Sequence, residues 1–198
     1  GNTGSILNML KKIGADAKVS NDKTEIQNAE KLILAGVGAY DHGISQLYDH
    51  ELIQVLNEQV LEKEKPILGI CLGFQLFTDK SDEGIKRGLG WIKGNTKRFN
   101  ISDMPSLIRV PHMGWNNIKL MIKDSPLFRD SNSEEQKYYF VHSYYVECKD
   151  NENILCRTEY GIEFTSAIQK GNIYGVQFHP EKSHKYGMQL LKNFVLFA

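Results

Sequence analysis

Apolar and polar positions follow two different rhythms along this chain, and the rhythm changes near Gly88. Before that point, stretches with helical spacing alternate with short continuous apolar runs. Ile6, Leu7, Leu10 and Ile13 predict a helix that Gly14 would stop. KLILAG (Lys31 to Gly36) is a bare apolar run of the buried-strand type. Helical spacing returns from Ile44 to Leu61. KPILGIC, opened by Pro66, predicts a second buried strand, and LGFQLFTDK after it reads as a helix. Strands that alternate with helices imply parallel pairing through crossover connections.

Beyond Gly88 the segments LGWIKGNTKRF, WNNIKL, KYYFVHSYYVEC, NILCRT and FTSAIQKGNIYGVQF are rich in β-branched and aromatic residues. Turn signals separate them, and Lys170-Gly171-Asn172 marks a hairpin. HKYGMQLLKNFVLFA predicts a closing helix with Met188, Leu191, Phe194 and Val195 on one face. No repeat, low-complexity tract or linker interrupts the pattern. One α/β domain over residues 1–198 is expected, with a mixed central sheet flanked by helices and its later strands partly antiparallel. The opening GNTGSILNML sets a glycine-rich turn before a helix, where α/β proteins normally have a strand, so a first strand ahead of Gly1 is expected to be missing.

A chain of 198 residues buries about 70% of the surface its unfolded form exposes and needs no disulfide or metal staple. Its 24 lysines and arginines balance 24 aspartates and glutamates, which leaves no general attraction to nucleic acid or to an anionic membrane. No apolar run approaches the ~20 residues of a membrane span, and no signal peptide is visible. Cys71, Cys148 and Cys156 lack CxxC spacing and read as reduced thiols of a cytoplasmic protein. His42, His50, His112, His142 and His184 are scattered, with no HxH or HxxxH pair, so neither a metal nor a cofactor is expected.

Within this frame GICLGFQ stands out. Cys71 lies between Gly69 and Gly73, directly after an apolar run, in the G-x-nucleophile-x-G arrangement. Such a turn strains the nucleophile's backbone, and side chains at the flanking positions would clash. It also sets the sulfur at a helix start, where the dipole favours thiolate and the Leu72 amide faces a developing oxyanion. Alone, the pentapeptide fits a buried structural cysteine equally well. GVQFHPEKS adds His179 at the end of a strand with Glu181 two residues on. Positions i and i+2 share a face in extended chain, so the carboxylate can hold the imidazole while the other ring nitrogen meets the thiol. In LAGVGAYDHG, Gly36 and Gly38 flank Val37, whose amide would give the second donor that an oxyanion hole needs.

GICLGFQ together with FHPE resembles the class I, triad-type glutamine amidotransferase family. GVGAYDHG, PHMGWN, YYFVHSYY and GVQFHPEKS extend the resemblance over nearly the whole chain. They narrow it to the branch of glutaminase subunits of imidazole glycerol phosphate synthases. The resemblance implies a flavodoxin-like α/β fold and hydrolysis of L-glutamine to glutamate and ammonia through a thioester on Cys71. His179 would act as base and then acid, oriented by Glu181, with Val37 and Leu72 as oxyanion donors. Gly38, Gln75, Ser143 and Tyr144 would bind glutamine. His112, Met113, Trp115 and Asn116 would lie in a loop at the mouth where ammonia leaves, with Lys182 and Ser183 facing a partner. That partner would be a (β/α)8-barrel cyclase in a heterodimer, making imidazole glycerol phosphate and AICAR in histidine biosynthesis. Ala35 departs from the proline usual before Gly-Val-Gly, which loosens the strand carrying the oxyanion donor.

Other readings stand beside this one. EKSHKYGMQLLKNF also resembles a paralogous branch that supplies ammonia for acetamidino-sugar synthesis in surface polysaccharides. The glutaminase of pyridoxal phosphate synthase shares the nucleophile and the His-x-Glu logic. A peptide-cleaving cysteine hydrolase would use the same elbow, and a catalytically silent flavodoxin-like binding subunit would use none of it.

Overall fold

The computed structural model describes residues 3–100, 102, 108–129 and 136–198. In chain order its helices and strands are α1 (Thr3–Lys12), α2 (Lys23–Asn28), β1 (Leu32–Gly36), α3 (Tyr40–Asp49), α4 (Leu52–Asn57), β2 (Ile67–Cys71), α5 (Leu72–Gln75), β3 (Lys80–Ser81), β4 (Gly94–Arg98) and β5 (His112–Leu120). They continue as β6 (Gln136–His142), β7 (Tyr144–Cys148), β8 (Ile154–Tyr160), β9 (Ile162–Lys170), β10 (Ile173–Val176) and α6 (His184–Phe197). The sheet runs β1-β2-β10-β9-β7-β4-β3, with β5 joined to β6 and β8. β1, β2 and β10 are mutually parallel neighbours, β3 runs parallel to β4, and the remaining pairs are antiparallel. This is the mixed α/β sheet expected, with β1 and β2 parallel across α3 and α4 and the later pairs mostly antiparallel.

Side-chain alternation on β2 sets the layers. Leu68 and Ile70 enter one apolar cluster with Ile6 and Leu10 of α1 and Leu190, Leu191 and Phe194 of α6. Ile67 enters the other, with Ile44 and Leu47 of α3 and Val55 and Leu56 of α4. The twofold period of an extended chain makes this division, and helices on both faces bury β2 completely. Among the described residues β1 is paired on one side only, and it is half-buried throughout, so the bare apolar run did not imply full burial. Ala35 keeps its place in the ladder opposite Ile70. The hairpin at Gly171-Asn172 joins β9 to β10, with Gly171 at φ 54°.

Three local expectations need correction. The helix after Cys71 is a single turn, Leu72–Gln75, and does not continue through Lys80. The carbonyls of Leu76, Phe77 and Thr78 instead accept the amides of Leu89, Ile92 and Gly90, so tertiary hydrogen bonds take what helix propagation would need. The helical stretch from Ile44 to Leu61 breaks at His50 and Glu51, where Glu51 adopts φ 52°, and it ends as a π-helical turn over Glu58–Glu62. The segment with His112, Met113, Trp115 and Asn116 is no loop but most of β5, a nine-residue strand. The short α2 escaped notice because six residues are too few to show a period. It is capped by the Asp22 side chain, which accepts the Glu25 amide at 2.9 Å.

Candidate active site

Parallel register brings the candidate residues to one edge of the sheet. Gly36, the last residue of β1, lies opposite Cys71, the last of β2, and Val176 of β10 lies opposite Ile70. The C-terminal ends of three adjacent parallel strands therefore meet, where open α/β sheets form their crevices. Cys71 stands at φ 53° and ψ −108°, a strained conformation for a residue with a side chain. A Cβ on Gly73 would lie 1.7 Å from the Leu34 carbonyl oxygen, and one on Gly69 would lie 2.6 Å from the Phe77 ring. Gly175 faces Gly69 across the ladder, and its Cβ would come within 2.2 Å of the Phe74 ring. The two strands are thus pared to glycine where the Phe77 and Phe74 rings press onto them.

His179 lies three residues past the end of β10, anchored through its amide to the Tyr139 carbonyl at 2.9 Å. Its Nδ1–H donates to Glu181 Oε1 at 2.9 Å, and both side chains are only 1% exposed. The link is not the extended chain expected, because Pro180–Lys182 forms a 3₁₀ turn that folds the carboxylate back onto the ring. Among the described residues His179 Nε2 and Glu181 Oε2 have no hydrogen-bond partner. Burial lowers the imidazole's pKa, but the Cys71 sulfur beside it and the Glu181 carboxylate outweigh burial and hold it up to about 9. For Glu181 burial works upward, and the hydrogen bond from His179 overcomes it, so the carboxyl titrates below its usual range. The resting geometry leaves Nε2 unpaired next to the sulfur, and such contacts often tighten only when substrate binds.

Val37 follows Gly36 directly and is 63% exposed, and Gly38 adopts φ 106°, a conformation open to glycine. Leu72 opens α5 beside Cys71. Gln75 and Tyr144 come together, the Gln75 Nε2 donating to the Tyr144 carbonyl at 3.1 Å, and Ser143 lies between β6 and β7 with its carbonyl taken by the Phe99 amide. Alternation divides the β5 segment. Met113 and Trp115 point outward, 61% and 46% exposed, whereas His112 is buried and Asn116 half-buried. Trp115 stacks on His184 at 5.5 Å and meets Tyr139 edge-on, while Lys182 lies 5.5 Å over the Tyr139 ring. Ser183 does not face outward. It is fully buried, and its hydroxyl is used inside the chain.

Two residues that the sequence reading left without a role lie against this site. Gln177 is fully buried with its Nε2 3.8 Å from Cys71 Sγ. A polar residue in the apolar run GVQF, two positions before His179 and so on the same face, was the available signal. His142 pairs with His112 at 3.0 Å across β5 and β6. Burial holds His112 down to about 4 and His142 to about 3, so both are neutral at ordinary pH. No periodicity could show that pair, because it depends on strand register.

The class I glutamine amidotransferase family model matches residues 1–198. A Methanococcus maripaludis protein named imidazole glycerol phosphate synthase subunit HisH 2 is 52% identical over 195 residues, spanning 98% of this chain and 94% of its own. A Pseudomonas aeruginosa protein of the same name is 50% identical with the same coverage. The HisH subunit of Sulfurimonas denitrificans is 43% identical over 198 residues, covering 100% of this chain and 94% of its own. Among solved structures, a putative GMP synthase component from Thermoplasma acidophilum gives TM-score 0.71 at 20% identity, over 98% of this chain and 87% of that one. The glutaminase domain of Trypanosoma brucei CTPS gives TM-score 0.68 at 16% identity, over 98% and 89%. At such identities these two structures speak to the fold alone. Among the described residues no helix is long and apolar enough to cross a membrane.

Proposed function

This chain belongs to the class I glutamine amidotransferases, and from that membership we propose that it is the glutaminase subunit of an imidazole glycerol phosphate synthase. One observation carries the chemistry: a buried imidazole, held at Nδ1 by a carboxylate, keeps Nε2 free beside a cysteine on a strained elbow. Nε2 takes the Cys71 proton, and the thiolate attacks the side-chain carboxamide carbon of L-glutamine. The oxyanion meets the amides of Leu72 and Val37. The imidazolium, stabilised by Glu181, then gives its proton to the departing nitrogen, so ammonia leaves and a glutamyl thioester remains. Water, activated by the same imidazole, releases glutamate and restores the thiol. By the family resemblance Gly38 and Gln75 would contact the bound glutamine, and the segment of Ser143 and Tyr144 would hold its amino-acid end.

Ammonia set free in neutral water would be protonated and lose its nucleophilicity, so an enclosed acceptor is required. The names of the relatives at 50% and 52% identity, subunits of imidazole glycerol phosphate synthase, support another subunit of such a synthase as that acceptor; by the family resemblance it would be a (β/α)8-barrel cyclase making imidazole glycerol phosphate and AICAR in histidine biosynthesis. Met113 and Trp115, exposed beside Tyr139, Lys182 and His184, form the surface such a partner would cover. The heterodimer would work in the cytoplasm, where the three free thiols stay reduced. The segment from Glu181 to Phe194, with its likeness to the surface-polysaccharide branch, favours a second acceptor, a synthetase that makes acetamidino sugars.

The test reconstitutes the chain with the cyclase. Cys71→Ser is expected to abolish glutamine hydrolysis while leaving product formation from added ammonium salt. Glutaminase activity is expected to rise about 10²–10³-fold when cyclase and its acceptor substrate are added, the factor that one oxyanion donor supplies. Equal rates alone, with partner and with partner plus acceptor would sink the coupling. Co-purification with a synthetase instead of the cyclase would transfer the reading to the sugar pathway.

A further inference from the structure

Gln177 takes part in no step above, yet its side chain is fully buried with its Nε2 3.8 Å from the Cys71 sulfur. The orientation of its amide decides whether the sulfur meets an N–H or an oxygen. One carbonyl settles this. Tyr144 O can only accept, and it lies 2.7 Å from His142 Nδ1 and 3.1 Å from Gln75 Nε2. Gln75 therefore turns its NH2 group toward it, and the second proton of that group points at Gln177, 3.0 Å away. Gln177 must present its oxygen there, which leaves its own NH2 facing Cys71 at 3.8 Å.

The other side of the carbonyl allows one direction too. His142 carries its proton on Nδ1, so its Nε2 accepts from His112 Nδ1 at 3.0 Å, and His112 Nε2 accepts from Asn116 Nδ2 at 3.3 Å. The Asn116 amide also donates to the Glu159 carbonyl at 2.9 Å, and its oxygen accepts the Asn117 amide. Every donor in the series thus has a single orientation, fixed at both ends by backbone groups.

We propose that Gln177 is a further catalytic residue, whose amide N–H donates to the Cys71 sulfur and favours its thiolate, aimed by the series Asn116–His112–His142–Tyr144 carbonyl–Gln75. A donor at this place stabilises the anion more than the thiol, because a hydrogen bond to a charged acceptor is the stronger one. The titratable groups that act on the site are His179 and, behind it, Glu181 on the segment after β10, with His142 on β6 and His112 on β5 kept neutral by burial. The assignment rests on Cys71 being the nucleophile.

The experiment follows iodoacetamide labelling of the Cys71 peptide by mass spectrometry across pH, in the full chain and in the Gln177→Leu and Gln177→Met variants. Both remove the amide donor without adding a charge or an O–H, and the second also keeps the length of the side chain. Both are expected to move the labelling midpoint up by about one pH unit and to lower glutaminase kcat/KM by about tenfold or more. Melting curves report the fold, and the Gln177→Met variant decides if the shorter side chain prevents folding in the other. An unchanged midpoint in a folded variant overturns the proposal, even if turnover falls. Failure to label Cys71 in the unaltered chain would instead overturn the nucleophile reading, and this assignment with it.

Discussion

The Ser183 hydroxyl donates to the His179 carbonyl at 2.6 Å and accepts the Tyr139 amide at 3.0 Å. The backbone of the candidate base is thereby tied to β6, whose Tyr139 lies under Lys182 on the exposed side. Ser183→Ala leaves the part-buried Tyr139 amide without its acceptor, which costs about 1 kcal/mol. The melting temperature is expected to fall by several degrees, and kcat to fall more than KM rises, since His179 loses its aim rather than the site its substrate. Thermal denaturation and steady-state kinetics check both; an unaltered Tm with unaltered kcat would contradict the clamp.

Replacing each member of the His179–Glu181 pair separates proton transfer from orientation. His179→Ala is expected to lower glutaminase turnover by ~10³ or more. Glu181→Gln preserves length and burial but removes the charge that helps hold the imidazole up, so turnover drops by a smaller factor while the fold is kept. Near-normal activity in both variants would remove these residues from the mechanism.

Buried histidines on this chain pull stability in opposite directions with pH. His112 and His142 titrate near 4 and 3 in the folded chain, against a usual 6.5. The unfolded chain therefore takes up more protons below pH 6.5, and stability is lost as pH falls from there. His179 is held up to about 9, so its contribution is full below 6.5 and is lost as pH rises through 9. The lowered Glu181 adds a loss only in more acid solution, below the usual carboxylate range. A melting temperature highest near pH 6.5 is expected from a series of thermal scans between pH 4 and 9. A profile level from pH 5 to 8 would refute this account.

Two glycines of the site have different reasons to be glycine, and alanine distinguishes them. At Gly73 a Cβ would stand 1.7 Å from a backbone oxygen of β1, a clash relieved only by separating α5 from the sheet. Overpacking of this kind costs ~3 kcal/mol or more, and Gly73→Ala is expected to give little soluble folded protein. At Gly38 nothing lies within 4 Å, but φ is 106°. Strain of about 1–3 kcal/mol is the cost there, so Gly38→Ala is expected to fold with a lowered Tm and altered glutaminase activity. Soluble yield and Tm compare the two, and a Gly73→Ala protein as stable as the original would show that α5 has room to move.

Local pattern determined a good deal by itself. The glycines around Cys71, the His-Pro-Glu spacing, the change from helical to alternating periodicity near Gly88 and the Gly171-Asn172 hairpin are written within a few residues each, because backbone sterics and side-chain period act at that range. The residues of family resemblance are equally local strings. Tertiary structure decided what those strings meet. The helix after Cys71 stops after one turn because Leu89, Gly90 and Ile92 take the carbonyls of the residues that follow it, Leu76, Thr78 and Phe77. His112 turns inward while Met113 and Trp115 remain outside, since pairing of β5 with β6 chooses which alternate face is buried, and Ser183 turns inward to bond the His179 carbonyl and the Tyr139 amide. Gln75, Tyr144, Gln177 and Cys71 touch although up to 106 positions separate them. Contacts of that kind depend on the register between distant strands, a property of the packed sheet that no local run of residues carries.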